Sequence, residues 1–301
     1  MRILMPIDGS TYSKAALAFI ASRSTLIESQ PDVELLNVQY PVSARVARGA
    51  GRELVQHYHE SESNKVIKPA VAALKRAGLR VQVKSVVGSP GAEVGRIAAE
   101  DAADLIVMGS HGHTGFKNLL FGSVTQAVFA SCDTPLLVLR SDAVPKKDSL
   151  KLGIALDGSK YGVAAVRFVV KHRALFGAAP SLTLIHVVPD LLNLVVPGFF
   201  GDAPVPGFKP EQVAEMQRTA FERAMAPARK LLQGTAFQVT EAQLSSNNPG
   251  DAIAAHATKN KLDILAIGSH GEGALRSMVL GSVATRVAAK CRNALLFIQE
   301  K

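Results

Sequence analysis

The sequence predicts two tandem α/β domains, each built on a parallel β-sheet with helices on both faces. The 301 residues suit about two domains of ordinary size. Short β-branched runs alternate with longer helical patterns, which is typical of parallel sheets with crossover helices. Motifs of the first half return in the second half in the same order, about 150 residues later, and therefore indicate duplication of one domain rather than a short-period array.

In the first half the pattern predicts strand 2–8, helix 11–27, strand 33–40, helix 52–77, strand 80–87, helix 91–101, strand 104–109, helix 123–131 and strand 135–140. Leu105–Met108 and Leu136–Leu139 are continuously apolar, as strands covered on both faces are. The second half repeats this order from Lys151 to Gln299. We predict domains at 1–141 and 150–301, joined by a polar, proline-containing linker at 142–149.

The repeated motifs are offset first by 149 and then by 159 positions. Asp8-Gly-Ser-Thr-Tyr12 returns as Asp157-Gly-Ser-Lys-Tyr161, Gly109-Ser-His-Gly112 as Gly268-Ser-His-Gly271, and Gly122-Ser-Val124 as Gly281-Ser-Val283. The second half therefore has about ten extra residues between its second strand and third helix. They fall in the apolar segment 189–210, which contains several Pro and Gly residues. We expect it to pack on its own domain, with a lid or a partner surface as alternatives.

Composition bounds the class of protein. The formal net charge is +9, but the basic excess is diffuse, so it would attract phosphorylated ligands and does not predict direct nucleic-acid binding. No apolar run reaches the roughly 20 residues of a membrane helix. Met1 leads directly into a strand pattern, and two cysteines give no disulfide framework. We expect a cytoplasmic protein without a membrane segment.

The main candidates for ligand binding lie in a glycine-rich loop after the fourth strand of each half. Glycines permit positive φ and close approach of a ligand, and consecutive N–H groups can surround an anion. Gly122 and Gly281 each open a helix, whose N-terminus favours phosphate. The candidate phosphate-binding residues are Gly109, Gly112, Gly122 and Ser123, with Gly268, Gly271, Gly281 and Ser282 in the second half. The alternative is that these glycines only turn the chain and cap a helix.

Asp8 and Asp157 end the first strand of each half. A carboxylate there could bind ribose or adenine, or hold a metal bridged to phosphate. The alternative is that it caps the next helix, a role that Ser10 or Ser159 could equally fill.

Both loops match Gly-x2-Gly-x9-Gly-(Ser/Thr), the ATP-binding pattern of the universal stress protein family, which the chain resembles over essentially its whole length. The opening Met5-Pro-Ile-Asp-Gly-Ser10 and the segment Cys132-Asp-Thr-Pro-Leu-Leu-Val-Leu139 also fit that family. The resemblance implies two Rossmann-like (adenine nucleotide alpha hydrolase-like) domains, each with a five-stranded parallel sheet in the order 3-2-1-4-5. Ligands of such sheets bind at the topological switch, here between the first and fourth strands.

The resemblance further implies ATP as ligand, with Mg²⁺ left open. AMP or a cyclic nucleotide would also suit a phosphate-binding loop beside an Asp. Phosphates would contact the loop residues above, and adenine would lie near Asp8 and Val38, or Asp157 and Val187. Met108, Val124 and Val283 complete the predicted set. Pairing of the last strands would make the two halves an internal pseudo-dimer, and a homodimer of chains is left open.

The two loops have different neighbours. Glu272 follows the second loop where His113 follows the first, and an anion there would repel phosphate. We therefore expect the second site to be the weaker one. The favoured function is nucleotide-dependent stress signalling without catalysis. The alternatives are an ATP hydrolase or phosphotransferase, and a scaffold that binds no nucleotide.

Overall fold

The computed structural model describes residues 1–112, 121–140, 144–145, 147–193, 209–269 and 280–299. The strands are β1 (Arg2–Pro6), β2 (Asp32–Gln39), β3 (Val81–Val87), β4 (Leu105–Gly109), β5 (Leu136–Leu139), β6 (Lys151–Ala155), β7 (Ser181–Val188), β8 (Gln238–Ser245), β9 (Ile264–Gly268) and β10 (Ala294–Ile298). The helices are α1 (Thr11–Ala21), α2 (Ser24–Glu28), α3 (Ala44–Ala50), α4 (Arg52–Arg76), α5 (Pro90–Glu100), α6 (Ser123–Ser131), α7 (Lys160–Lys171), α8 (Pro210–Leu232), α9 (Pro249–Lys259) and α10 (Ser282–Lys290).

All ten strands form one sheet, in the order β3-β2-β1-β4-β5-β10-β9-β6-β7-β8. Each half therefore has the predicted order 3-2-1-4-5, and all strand pairs within a half are parallel. The halves are joined by an antiparallel pair in which Leu296 of β10 lies opposite Leu137 of β5. This pairing of the last strands gives the internal pseudo-dimer that the family resemblance implies.

Two layers of helices bury the sheet. Helices α1, α4, α7 and α8 contribute to one apolar cluster, and α5, α6, α9 and α10 contribute to the other. The four central strands lie between both layers, which explains their continuously apolar sequences. Phe297 of β10 makes edge-on contacts with Phe121 and Phe129 of the first half, at ring-centroid distances of 5.8 and 4.8 Å. These contacts extend one apolar core across the boundary between the halves.

Two predicted helices differ from the structure. The predicted helix 11–27 is divided into α1 and α2 because Arg23 leaves helical geometry and turns its side chain into the protein interior, where it is fully buried. The predicted helix 52–77 is preceded by α3, and Gly51 separates the two helices with a φ of +84°. The extra residues of the second half lie between β7 and α8. Most of that segment, 194–208, lies outside the described residues, so its role stays a prediction.

None of the helices in the described part of the chain combines the length and the apolar character needed to cross a membrane.

Candidate nucleotide-binding crevice

The first candidate site lies where β1 and β4, which are neighbours in the sheet, reach their carboxyl ends. Asp8 follows β1, and Gly109 is the last residue of β4. The chain order reverses between these two strands, because β2 and β3 extend the sheet on one side and β5 on the other. A crevice at such a reversal is the usual ligand site of open α/β sheets.

Asp8 faces the glycine-rich loop. Its Oδ1 accepts a hydrogen bond from the Ser10 backbone N–H at 2.9 Å. The hydroxyl of Ser10 in turn caps α1 by accepting from the Ser13 N–H at 3.2 Å. A Cβ placed on Gly112 would lie 2.8 Å from Asp8 Oδ2. Ser10 therefore fills the helix-capping role, and the Asp8 carboxylate is held against the loop.

The loop glycines permit close approach of the backbone, and the expectation that they supply positive φ is wrong for the five that are described. Positive φ occurs instead at Gly9 and Gly158, directly after the two aspartates. A Cβ on Gly109 would lie 2.4 Å from Tyr12 Cβ and 2.6 Å from its carbonyl carbon, so this glycine lets α1 pack on β4. A Cβ on Gly122 would lie 3.3 Å from His111 Cα, where α6 meets the loop.

The N-terminus of α6 opens towards the same loop. The Gly122 N–H donates to the Ser110 carbonyl at 2.9 Å, which fixes the start of the helix. No side chain among the described residues caps this helix, whereas α1 has its serine cap. Ser123 is exposed and Val124 is half-buried. The first-turn N–H groups and the positive end of the helix dipole are thus suited to hold an anion.

Two side chains, those of His111 and Thr125, make contacts that stabilise the loop. His111 Nδ1 lies 3.1 Å from Ser110 Oγ, and its ring lies 5.3 Å from the ring of Tyr12. The Thr125 hydroxyl donates towards the carbonyls of Gly109 and Ser110, at 3.4 and 3.3 Å. The second half has Ala284 in place of Thr125, and thus lacks this support.

Sequence reasoning missed a pair of polar residues below the crevice. The buried Asn37 donates through Nδ2 to the Ile7 carbonyl at 2.8 Å, directly before Asp8. At the equivalent place in the second half, the buried His186 lies with Nδ1 2.7 Å from the Leu156 carbonyl. These two residues are 149 positions apart, which is the offset of the first repeated motif, and this spacing could have identified them as equivalent positions.

The apolar residues of the predicted set lie in one of the two apolar clusters, and the contact of Val38 and Val187 with adenine stays a prediction. Val38 of β2 is half-buried, Met108 of β4 is buried, and both belong to the cluster beneath α5 and α6. Val187 and Val283, the counterparts of Val38 and Val124, pack against the same cluster in the second half. Among the described residues, the apolar and polar candidates of each half thus lie near the carboxyl ends of neighbouring strands.

The described part of the second crevice repeats the first. The Ser159 N–H donates to Asp157 Oδ1 at 2.9 Å, and the Gly281 N–H donates to the Ser269 carbonyl at 2.8 Å. Gly268 ends β9, and Ser282 is exposed at the start of α10. Asp157 is exposed, whereas Asp8 is half-buried. Gly271 and Glu272 lie outside the described residues.

Acidic, cysteine and histidine side chains are the usual metal ligands in such a crevice. Among the described residues, no group of three or more His, Cys, Asp or Glu side chains is arranged to hold a metal ion.

Comparison with known proteins identifies the family. The model of the universal stress protein family matches residues 1–140 and again residues 150–299. The chain belongs to the universal stress protein family. It is a tandem member, because the two matches together span nearly all of it. A universal stress protein of Mycolicibacterium smegmatis is 24% identical over 307 residues, covering 99% of this chain and 97% of the relative.

Two further comparisons agree with this placement. A universal stress protein of Methanocaldococcus jannaschii is 30% identical over 154 residues, which are 46% of this chain and 94% of the relative. A solved structure of a universal stress protein from Archaeoglobus fulgidus superimposes with a TM-score of 0.67 at 21% identity, covering 99% of this chain and 96% of that one. That structure supports the tandem fold.

Proposed function

We propose that this universal stress protein binds ATP, and that the first crevice is its main site. The observation that carries the proposal is the meeting of three elements: the Asp8 carboxylate, the Gly109–Gly112 loop and the start of α6. A carboxylate accepts hydrogen bonds from ribose hydroxyls or the adenine amino group, and the loop and helix N–H groups donate to phosphates. The match of both loops to the family's ATP-binding pattern supports the same ligand.

The charge along the sheet favours the first crevice. Because β5 and β10 are antiparallel, the carboxyl ends of the first half lie at the same sheet edge as the amino ends of the second. That edge carries Lys259, Lys261 and Arg292. Their counterparts Glu100, Ala102 and Asp133 lie at the edge of the second crevice. The potential is therefore more positive around the first crevice, although salt screens much of it beyond roughly 8 Å.

Signalling through conformation would use the joined sheet. Nucleotide bound beside β4 lies one strand from β5, which pairs directly with the second half. We propose that nucleotide binding stiffens this central pair and changes the surface offered to protein partners in the cytoplasm. Pairing of two whole chains would need another surface, because β5 and β10 already pair with each other.

Catalysis is a second candidate function, supported only by the carboxylates of Asp8 and Asp157. Incubation with ATP and Mg²⁺, followed by measurement of ADP, separates the two. The binding proposal predicts no ADP formation above that of a Gly122→Val variant. A rate that the variant loses would establish hydrolysis instead.

The ligand itself is tested by mass spectrometry of small molecules released from freshly purified protein. The proposal predicts an adenine nucleotide, and a rise in Tm when ATP is added. Absence of both would favour the scaffold alternative. The ranking of the sites is tested by comparing Gly122→Val with Gly281→Val, where the first substitution should remove more bound ATP. A greater loss in the second would contradict the ranking.

A further inference from the structure

A basic pocket lies at the junction of the linker with the second half, separate from both crevices. It has a volume of about 550 Å³ and opens at the amino ends of β9 and β10. Its charged and amide side chains are Lys147, Asp263, Lys261, Lys290, Arg292 and Asn293. This volume is within the range of small-molecule sites, about 300–1,000 Å³.

The pocket carries a large positive charge for its size. Four cationic side chains line it, and Asp263 supplies the only carboxylate among the lining residues that the structure describes. That carboxylate already accepts a hydrogen bond from the Lys151 backbone N–H at 2.8 Å. Within the described ranges, none of the four cations has a carboxylate within the 4.0 Å of an ion pair. The four positive charges therefore exceed the single negative charge of Asp263, and the described lining carries a net positive charge.

Helix stabilisation does not account for these cations. Lys290 lies in the last turn of α10, and Lys261 follows the end of α9, where basic residues interact favourably with the helix dipole. The equivalent helices of the first half, α5 and α6, have no basic residue in their last turns. At the positions of Lys261, Lys290 and Arg292 the first half has Ala102, Ser131 and Asp133. The same fold thus forms without the positive charge.

The linker wall of the pocket is fixed by a buried arginine. Arg23, fully buried between α1 and α2, donates to the carbonyls of Asp148 at 3.3 Å and Pro145 at 3.5 Å. The Ser24 hydroxyl donates to Asp148 Oδ1 at 2.6 Å. These bonds hold the segment that carries Lys147 against α1 and α2 of the first half. A preorganised wall lowers the entropic cost of binding a ligand.

We propose that this pocket binds a small polyvalent phosphate, with inorganic triphosphate as its simplest form. Several ammonium groups and a guanidinium around one cavity fit the charge and the acceptor oxygens of such an anion. The Asn293 amide adds a polar group at the same end. The free pocket holds an excess of positive charge, and a polyvalent anion neutralises that excess.

The test is calorimetric titration of sodium tripolyphosphate into the full chain and three variants. The pocket variant K261A/K290S/R292D carries the residues of the first half, and Lys261 and Ala102 have nearly the same positive φ, 52° and 48°. The control variant K68A/K75S/R76D makes the same charge change on the exposed face of α4. The crevice variant G112V blocks the first crevice. Circular dichroism verifies that each variant is folded.

The proposal predicts saturable binding that weakens at least tenfold in the pocket variant and less than twofold in the control and crevice variants. Equal losses in the pocket and control variants would show general charge attraction only and overturn it. Loss confined to the crevice variant would place the anion in the nucleotide crevice and also overturn it. Absence of saturable binding to the wild-type chain would do the same. A second titration uses ATP in place of tripolyphosphate and asks whether the pocket binds free phosphate or the phosphate tail of a nucleotide. A site for free phosphate makes no contact with the base and gains no affinity from it, whereas a nucleotide site would bind ATP more tightly than tripolyphosphate.

Discussion

Gly109 and Gly122 belong to the same motif, and the structure predicts a much larger loss of stability when one methyl group is added to Gly109 than when it is added to Gly122. At Gly109 the new Cβ would lie 2.4–2.8 Å from the Cβ, carbonyl carbon and carbonyl oxygen of Tyr12. Two of those atoms are backbone, so α1 would have to move away from β4. At Gly122 the nearest atom is His111 Cα at 3.3 Å, which a shift of a few tenths of an ångström relieves.

The magnitudes follow from these contacts. Overpacking costs typically 1–3 kcal/mol, and a clash with backbone places Gly109→Ala near the upper end, at about 3 kcal/mol. Alanine at a helix N-cap is disfavoured against glycine by roughly 1 kcal/mol, which is the expected cost of Gly122→Ala. For domains of this size each 1 kcal/mol lowers Tm by about 2–4 °C. The expected decreases are therefore roughly 6–12 °C for Gly109→Ala and 2–4 °C for Gly122→Ala.

Thermal unfolding followed by circular dichroism, with urea unfolding as a second measurement, tests this pair. Both variants are measured without nucleotide, so that binding does not contribute. The reasoning is refuted if Gly122→Ala proves as destabilising as Gly109→Ala, or if Gly109→Ala leaves Tm unchanged.

Three further predictions concern the core, the linker and pH. Phe297→Ala removes the ring that joins the halves and should cost about 3–5 kcal/mol in urea unfolding, whereas a cost below 1 kcal/mol would show that the halves do not share this core. Arg23→Met should cost about 1–3 kcal/mol and speed proteolysis of the linker, because the carbonyls of Pro145 and Asp148 lose a donor; an unchanged cleavage rate would contradict this. Burial lowers the pKa of His172, while nearby Asp104 opposes this and Lys171 and the terminal ammonium add to it. Below about pH 6.5 the unfolded chain therefore binds a proton at His172 more readily than the folded chain does. The free energy of unfolding consequently decreases as the pH decreases. His172→Asn should lose less Tm between pH 7 and pH 5 than wild type, and an equal loss would assign the acid sensitivity to other groups.

The repeated motifs predicted the duplication, and the family resemblance that they carry implied the strand order of each half. Continuously apolar runs such as Leu105–Met108 indicate strands that are buried on both faces. Because the domain is duplicated, the same pattern of elements can be recognised twice in the sequence. The division between α1 and α2 could not be predicted in the same way. Arg23 leaves the helix because its partners are linker carbonyls 122 and 125 residues later, and no local pattern encodes such a contact.

The site shows the same contrast. The glycine spacing predicted a loop between the fourth strand and the next helix, and Gly109 ends β4 while Gly122 precedes α6. That these residues bind a ligand stays a prediction. The spacing did not predict why each glycine is needed, since close approach at Gly109 depends on how α1 packs across the sheet. Asn37 and His186 were missed because a buried amide or imidazole that supports a neighbouring strand has no sequence signature of its own.

Calorimetric titration of ATP into wild-type protein, Gly112→Val and Gly49→Val tests the central claim most directly. A side chain at Gly112 would enter the crevice beside Asp8, whereas a Cβ on Gly49 in α3 has no atom within 4 Å. The two substitutions are thus chemically matched and differ in location. The account predicts saturable ATP binding by the wild-type chain, at least tenfold weaker high-affinity binding in Gly112→Val, and wild-type affinity in Gly49→Val. ATP binding of wild-type strength in the Gly112→Val variant would contradict it.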